Sequence, residues 1–91
     1  MDDLRKTILE KICYTELVYD RINKKLCTSM THPEIEEFLM SILSDNNNCI
    51  KKQGKNYYIS DEMEKVSITI NASTYRVITA NRLSENNFYQ N

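Results

Sequence analysis

A chain of 91 residues is large enough for one modest core and no second domain, since a domain of this size buries roughly 60 to 65% of the surface its unfolded chain exposes. Hydrophobic and charged fractions of 41% and 27%, with one Gly and one Pro, exclude a fibrous or low-complexity chain. Twelve basic against thirteen acidic residues leave a net charge of -1, which gives no general pull toward nucleic acid or an anionic membrane, so any basic patch must be local. The acidic start Met1-Asp2-Asp3 and the lack of a long apolar run predict a cytoplasmic protein without a membrane span.

Asp2 or Asp3 can cap a first helix in which Leu4, Ile8 and Ile12, with Leu9, form an apolar stripe and Arg5, Lys6, Glu10 and Lys11 take the wet side. At Cys13-Tyr14-Thr15 the pattern shifts. Thr15 reads as a new N-cap, Leu17, Val18, Ile22 and Leu26 continue an apolar face, and Lys24-Lys25 suit a C-terminus near Cys27. A single kinked helix is the competing reading.

Thr31-His32-Pro33-Glu34 is a capping box that starts the next helix, with Ile35, Phe38, Leu39, Ile42 and Leu43 at the spacing of a core-facing stripe. Asp45-Asn46-Asn47-Asn48 ends it. Cys49-Ile50-Lys51-Lys52 and Asn56-Tyr57-Tyr58-Ile59-Ser60 flank Gln53-Gly54-Lys55, where Gly54 can supply a positive φ, so a hairpin is expected. A second follows a polar connection. Val66, Ile68 and Ile70 alternate with polar residues, Asn71-Ala72-Ser73-Thr74 suits a turn, and Tyr75, Val77 and Thr79 resume the alternation, which predicts Ile70 beside Tyr75 and Ile68 beside Val77. The expected domain spans 1–83, with a flexible tail over 84–91. Its class is α+β: two or three N-terminal helices packed on one face of a four-stranded antiparallel sheet.

Cys13, Cys27, His32 and Cys49 equal the ligand count of a structural zinc site. No Cys-x-x-Cys pair is present. The plainer reading makes Cys13 and Cys49 buried thiols and His32 a member of the capping box. No Gly-rich phosphate loop occurs, and a lone His with no thiol placed beside it defines no nucleophilic site, so no enzyme activity is expected.

Three helices followed by Lys51-Lys52-Gln53-Gly54-Lys55-Asn56-Tyr57-Tyr58 have the order of a winged helix, which makes a small DNA-binding regulator one candidate. Against it, Glu34, Glu36 and Glu37 lead the third helix. The other candidate is protein binding. Tyr57 and Tyr58 must point to opposite faces of the sheet, and Ile78 alternates away from Val77, so Tyr58 and Ile78 are expected as a patch on the open face, for a partner protein or a homodimer seam.

Three strings carry a resemblance: Tyr14-Thr15-Glu16-Leu17-Val18-Tyr19-Asp20-Arg21-Ile22-Asn23-Lys24-Lys25-Leu26; Gly54-Lys55-Asn56-Tyr57-Tyr58-Ile59; and Ile68-Thr69-Ile70-Asn71 with Thr74-Tyr75-Arg76-Val77-Ile78-Thr79. They resemble the small bacterial and phage family DUF3781 of the domains of unknown function, over Tyr14 to Leu83. The resemblance implies no established activity. It marks Arg21, Asn23, Lys55, Asn56, Asn71 and Arg76 as candidate contact residues, since core packing does not explain polar members of a signature. Cys27 and His32 lie outside those strings, which counts against a family-wide zinc site. In size and composition the chain also resembles phage-encoded inhibitors, including anti-CRISPR proteins that bind a host Cas nuclease. That resemblance implies a non-catalytic protein-binding inhibitor or adaptor.

Overall fold

The computed structural model describes residues 3–83. Three helices, α1 (Asp3–Lys11), α2 (Glu16–Leu26) and α3 (His32–Ser44), precede four strands, β1 (Cys49–Gln53), β2 (Asn56–Asp61), β3 (Val66–Asn71) and β4 (Val77–Arg82). The strands pair antiparallel in the order β1-β2-β3-β4. This is the α+β arrangement expected, and the proposed tail over 84–91 lies outside the described residues.

Local chemistry sets the boundaries. Thr31 accepts from the Glu34 amide while Glu34 reaches back to the Thr31 amide, closing the capping box at the start of α3. The α1 and α2 segments are separate helices and not one kinked rod. Between them Cys13 accepts from the Val77 amide at 2.9 Å and donates to the Tyr75 carbonyl at 3.0 Å, a one-residue parallel bridge to the start of β4. The α2 helix ends in a Schellman turn: Cys27 stands at φ 58, and Thr28 N–H bonds the Asn23 carbonyl at 2.9 Å. Gly54 supplies φ +62 in the two-residue β1–β2 loop, as a turn with glycine at its first central position requires.

One face of the sheet is the core face. Ile59, Val66, Ile68, Ile70, Val77 and Ala80 are buried in a single cluster with Ile8 of α1, Val18, Ile22 and Leu26 of α2, and Ile35, Leu39, Ile42 and Leu43 of α3. The opposite face carries Lys51, Tyr58, Thr69 and Thr79, which are neighbours across the paired strands.

Several expectations are corrected. The β3–β4 register sets Ile70 against Val77 and Ile68 against Ala80, because Tyr75 is drawn into the turn at φ 61 and the pairing shifts between Thr69 and Ile70. The turn is longer than four residues allow: Asn71 Oδ1 accepts from both Ser73 and Thr74 amides, and Tyr75 N–H returns to the Asn71 carbonyl. Ile78 is the residue the bulge leaves without a cross-strand partner, and it borders α2, where its carbonyl accepts from Arg21. Arg5 is buried, not on the wet side, and Leu17 is 74% exposed instead of continuing the apolar face. Cys13, Cys27 and Cys49 are all exposed free thiols.

Candidate functional site

Helix periodicity divides α2 into two unlike sides. Val18, Ile22 and Leu26 recur every four residues and are buried, while Leu17, Arg21 and Lys24 follow i, i+4, i+7 along an exposed side. The exposed side borders β4. There Thr15, Leu17, Val18, Arg21, Arg76, Val77 and Ile78 line a notch of about 220 Å³. Leu17, Asp20, Arg21, Lys24 and Lys25 line an adjoining concavity of about 360 Å³ along the helix.

Val18 and Val77 are buried, at 3% and 2% exposure, so the notch has an apolar floor. Arg21 reaches across its mouth, where Nη1 donates to the Ile78 carbonyl at 3.4 Å, at the long limit of a hydrogen bond. The Arg76 side chain makes no hydrogen bond or ion pair among the described residues, although its backbone bonds Thr74. Two guanidinium groups thus frame aliphatic carbon, and neither is ion-paired to a carboxylate among the described residues.

The structure therefore gathers three of the sequence-derived contact residues, Arg21, Arg76 and Ile78, in one place. The others lie elsewhere. Asn23 is taken up internally: its Nδ2 donates to the Met30 carbonyl at 2.9 Å, and its Oδ1 accepts from Thr28 Oγ and Met30 N–H. Lys55 belongs to the hairpin loop, where its carbonyl accepts from the Ala72 amide, and Asn56 reaches the Tyr58 hydroxyl on the open face at 3.4 Å. Leu17, Lys24 and Lys25 were missed as site residues. Leu17 could have been found by its phase, one residue before the Val18–Ile22–Leu26 stripe and so about 100° off it.

The zinc candidates do not converge. Cys13 Sγ lies 3.6 Å from the Thr74 carbonyl, Cys27 occupies the end of α2, Cys49 opens β1, and His32 stacks on Tyr19 with ring centroids 3.7 Å apart. Among the described residues no three His, Cys, Asp or Glu side chains are grouped to hold a metal ion. The stack continues to Tyr14, 5.7 Å from Tyr19. Tyr19 donates to Glu36 Oε2 at 2.6 Å, and this bond to a carboxylate, with burial, pushes the phenol up to about 12. Burial, with the Glu36 charge, pushes Tyr14 up as well.

No helix among the described residues is long and apolar enough to cross a membrane. The fold and this surface define a small α+β domain with an exposed basic and aliphatic notch. The chain belongs to the family described as Protein of unknown function (DUF3781), which matches residues 6–81. No curated protein matches the chain, and no solved structure matches it.

Proposed function

We propose that the protein is a non-catalytic binding module, an inhibitor or adaptor that acts by occupying another protein, and that the α2–β4 notch is its contact surface. The observation that carries this reading is Leu17. A single exposed leucine is ordinary on a protein surface. Here it stands 74% exposed at the lip of an apolar notch, with Arg21 and Arg76 on the same rim. Arginine is enriched at interface centres, and an apolar concavity beside it can be desolvated by a partner's side chain, the setting in which a few residues dominate affinity.

A photocrosslinking residue at position 17, compared with one at Met63, tests it. Met63 is 80% exposed in the β2–β3 connection and serves as an equally accessible control. In host lysate, position 17 should give a discrete crosslinked protein and position 63 should not. No product from position 17, or the same product from both, overturns the reading. The likeness to phage-encoded inhibitors makes a Cas nuclease a specific partner to titrate. Stoichiometric loss of cleavage, restored by Leu17→Asp, supports that partner, and full cleavage at large excess removes it.

The alternative, a small winged-helix-like DNA-binding regulator, is favoured by the β1–β2 hairpin, whose Lys51, Lys52 and Lys55 are exposed. Weighing against it, Glu34 and Glu37 line a shallow groove of about 550 Å³ with Met30, Phe38 and Ser41 on the outer side of α3. Carboxylates on the helix nearest the position of a reading helix repel phosphate. A gel shift with mixed duplex DNA at low salt separates the two readings.

A further inference from the structure

We infer that the α2–β4 notch recognises an acidic protein segment that carries an aliphatic side chain, the aliphatic group seated on Val18 and Val77 and its flanking carboxylates held by Arg21 and Arg76. The inference rests on the protein-binding reading above and adds to it the chemistry of the partner.

The charge of the site is local. The whole chain has a net charge of -1, yet the rim of the notch and its continuation along α2 hold Arg76, Arg21, Lys24 and Lys25 against Asp20 alone. Neither arginine has a carboxylate partner among the described residues. A guanidinium matches a carboxylate through two parallel hydrogen bonds, and an acidic segment is the complement of such a rim.

The size of the site argues the rest. At about 220 Å³ the notch falls below the range of small-molecule pockets, 300 to 1,000 Å³, and suits one side chain. Its floor and lip are aliphatic, from Val18, Val77, Ile78 and Leu17. Phosphate backbones are bound by charge and need no apolar floor, so a peptide uses more of this surface than a nucleic acid does.

Fluorescence anisotropy with a labelled acidic nonapeptide, one central leucine among glutamates, tests the inference. Three competitors accompany it: the same peptide with serine for leucine, a lysine-for-glutamate version, and a short mixed duplex DNA. The full chain should bind the acidic leucine peptide saturably, and Arg76→Glu should weaken binding by about tenfold or more. Serine in place of leucine should weaken it by about tenfold, as expected for losing a buried aliphatic side chain. Arg76 is exposed and its side chain is unbonded among the described residues, so the variant should melt like the parent.

Equal binding of the lysine peptide, indifference to Arg76→Glu, or indifference to the central leucine overturns the inference. Tighter, Arg76-dependent binding of the duplex overturns it in favour of a nucleic-acid surface. If position 17 crosslinks a partner that the acidic peptide does not displace, the inference falls and the protein-binding reading stands. If the peptide binds through Arg76 but position 17 crosslinks nothing, the recognition chemistry stands and the functional reading falls.

Discussion

Arg5 holds the C-terminal end of α3 through Leu43: its Nη1 donates to the Leu43 carbonyl at 3.0 Å, and the same nitrogen lies 3.0 Å from the Asp45 carbonyl and 2.6 Å from Asn48 Oδ1. The last carbonyls of a helix have no partner within it, and the helix dipole favours a cation there. Arg82 does the same for α2, donating from Nε and Nη2 to the Leu26 carbonyl at 3.0 and 2.6 Å. Neither helix supplies these bonds itself.

Replacing Arg5 by Leu should therefore lower stability by about 2 to 3 kcal/mol, the usual magnitude for removing a hydrogen-bonded charge that leaves part-buried acceptors behind. Urea denaturation should show a lower midpoint with an unchanged slope. A loss under about half a kcal/mol would mean that water replaces the guanidinium at these carbonyls.

Tyr19 gives the protein an alkaline limit. An unfolded tyrosine ionises near pH 10, whereas the bond to Glu36, with burial, raises Tyr19 in the fold to about 12. The unfolded chain thus loses this proton first as pH rises. The contribution to stability is complete below pH 10 and is lost across the window from about 10 to 12. Tyr14 is shifted in the same direction and steepens the fall. Tyr19→Phe should flatten the dependence, measured by urea midpoints at pH 7 to 11 with tyrosinate absorbance as the second readout. An unchanged slope would separate the Glu36 bond from the shift.

Cys27 stands at φ 58, a conformation that costs a side chain with a β-carbon roughly 1 to 2 kcal/mol. Glycine removes this strain but loosens the unfolded chain, so Cys27→Gly should stabilise by about 0.5 to 1 kcal/mol. A melting temperature at or below that of the parent would contradict the Schellman geometry at this position.

Asn23→Ala should cost about 1 to 3 kcal/mol, because one amide joins Thr28 and Met30 and its removal leaves the loop before α3 without these bonds. Binding of the acidic peptide should be unchanged once the variant is folded. A folded Asn23→Ala protein with weakened binding would return this residue to the contact surface.

Much of the fold was legible because its signals are short in range. The Thr31 capping box, the apolar stripe of α3, Gly54 in its turn and the alternation of Val66, Ile68 and Ile70 each report on a few neighbouring residues. What escaped depends on distant partners. Arg5 reads as a surface residue until the end of α3 is placed against it, and the register of β4 depends on a turn that enlists Tyr75 and expels Ile78. Of the site, Arg21, Arg76 and Ile78 were named from the sequence, but their meeting was not foreseen. The place of Ile78 beside α2 depends on a bulge, which strict alternation cannot register.

The bridge between Cys13 and Arg76 has a consequence for how the chain assembles. It joins the link between the first two helices to the opening of β4, so the floor of the notch does not form until β4 has been synthesised and has folded back across more than sixty residues. Loop closure over such a span is slow relative to helix formation. A nascent chain halted within β3 would lack Val77, one of the two buried residues that floor the notch, so α2 would have nothing of β4 to pack against.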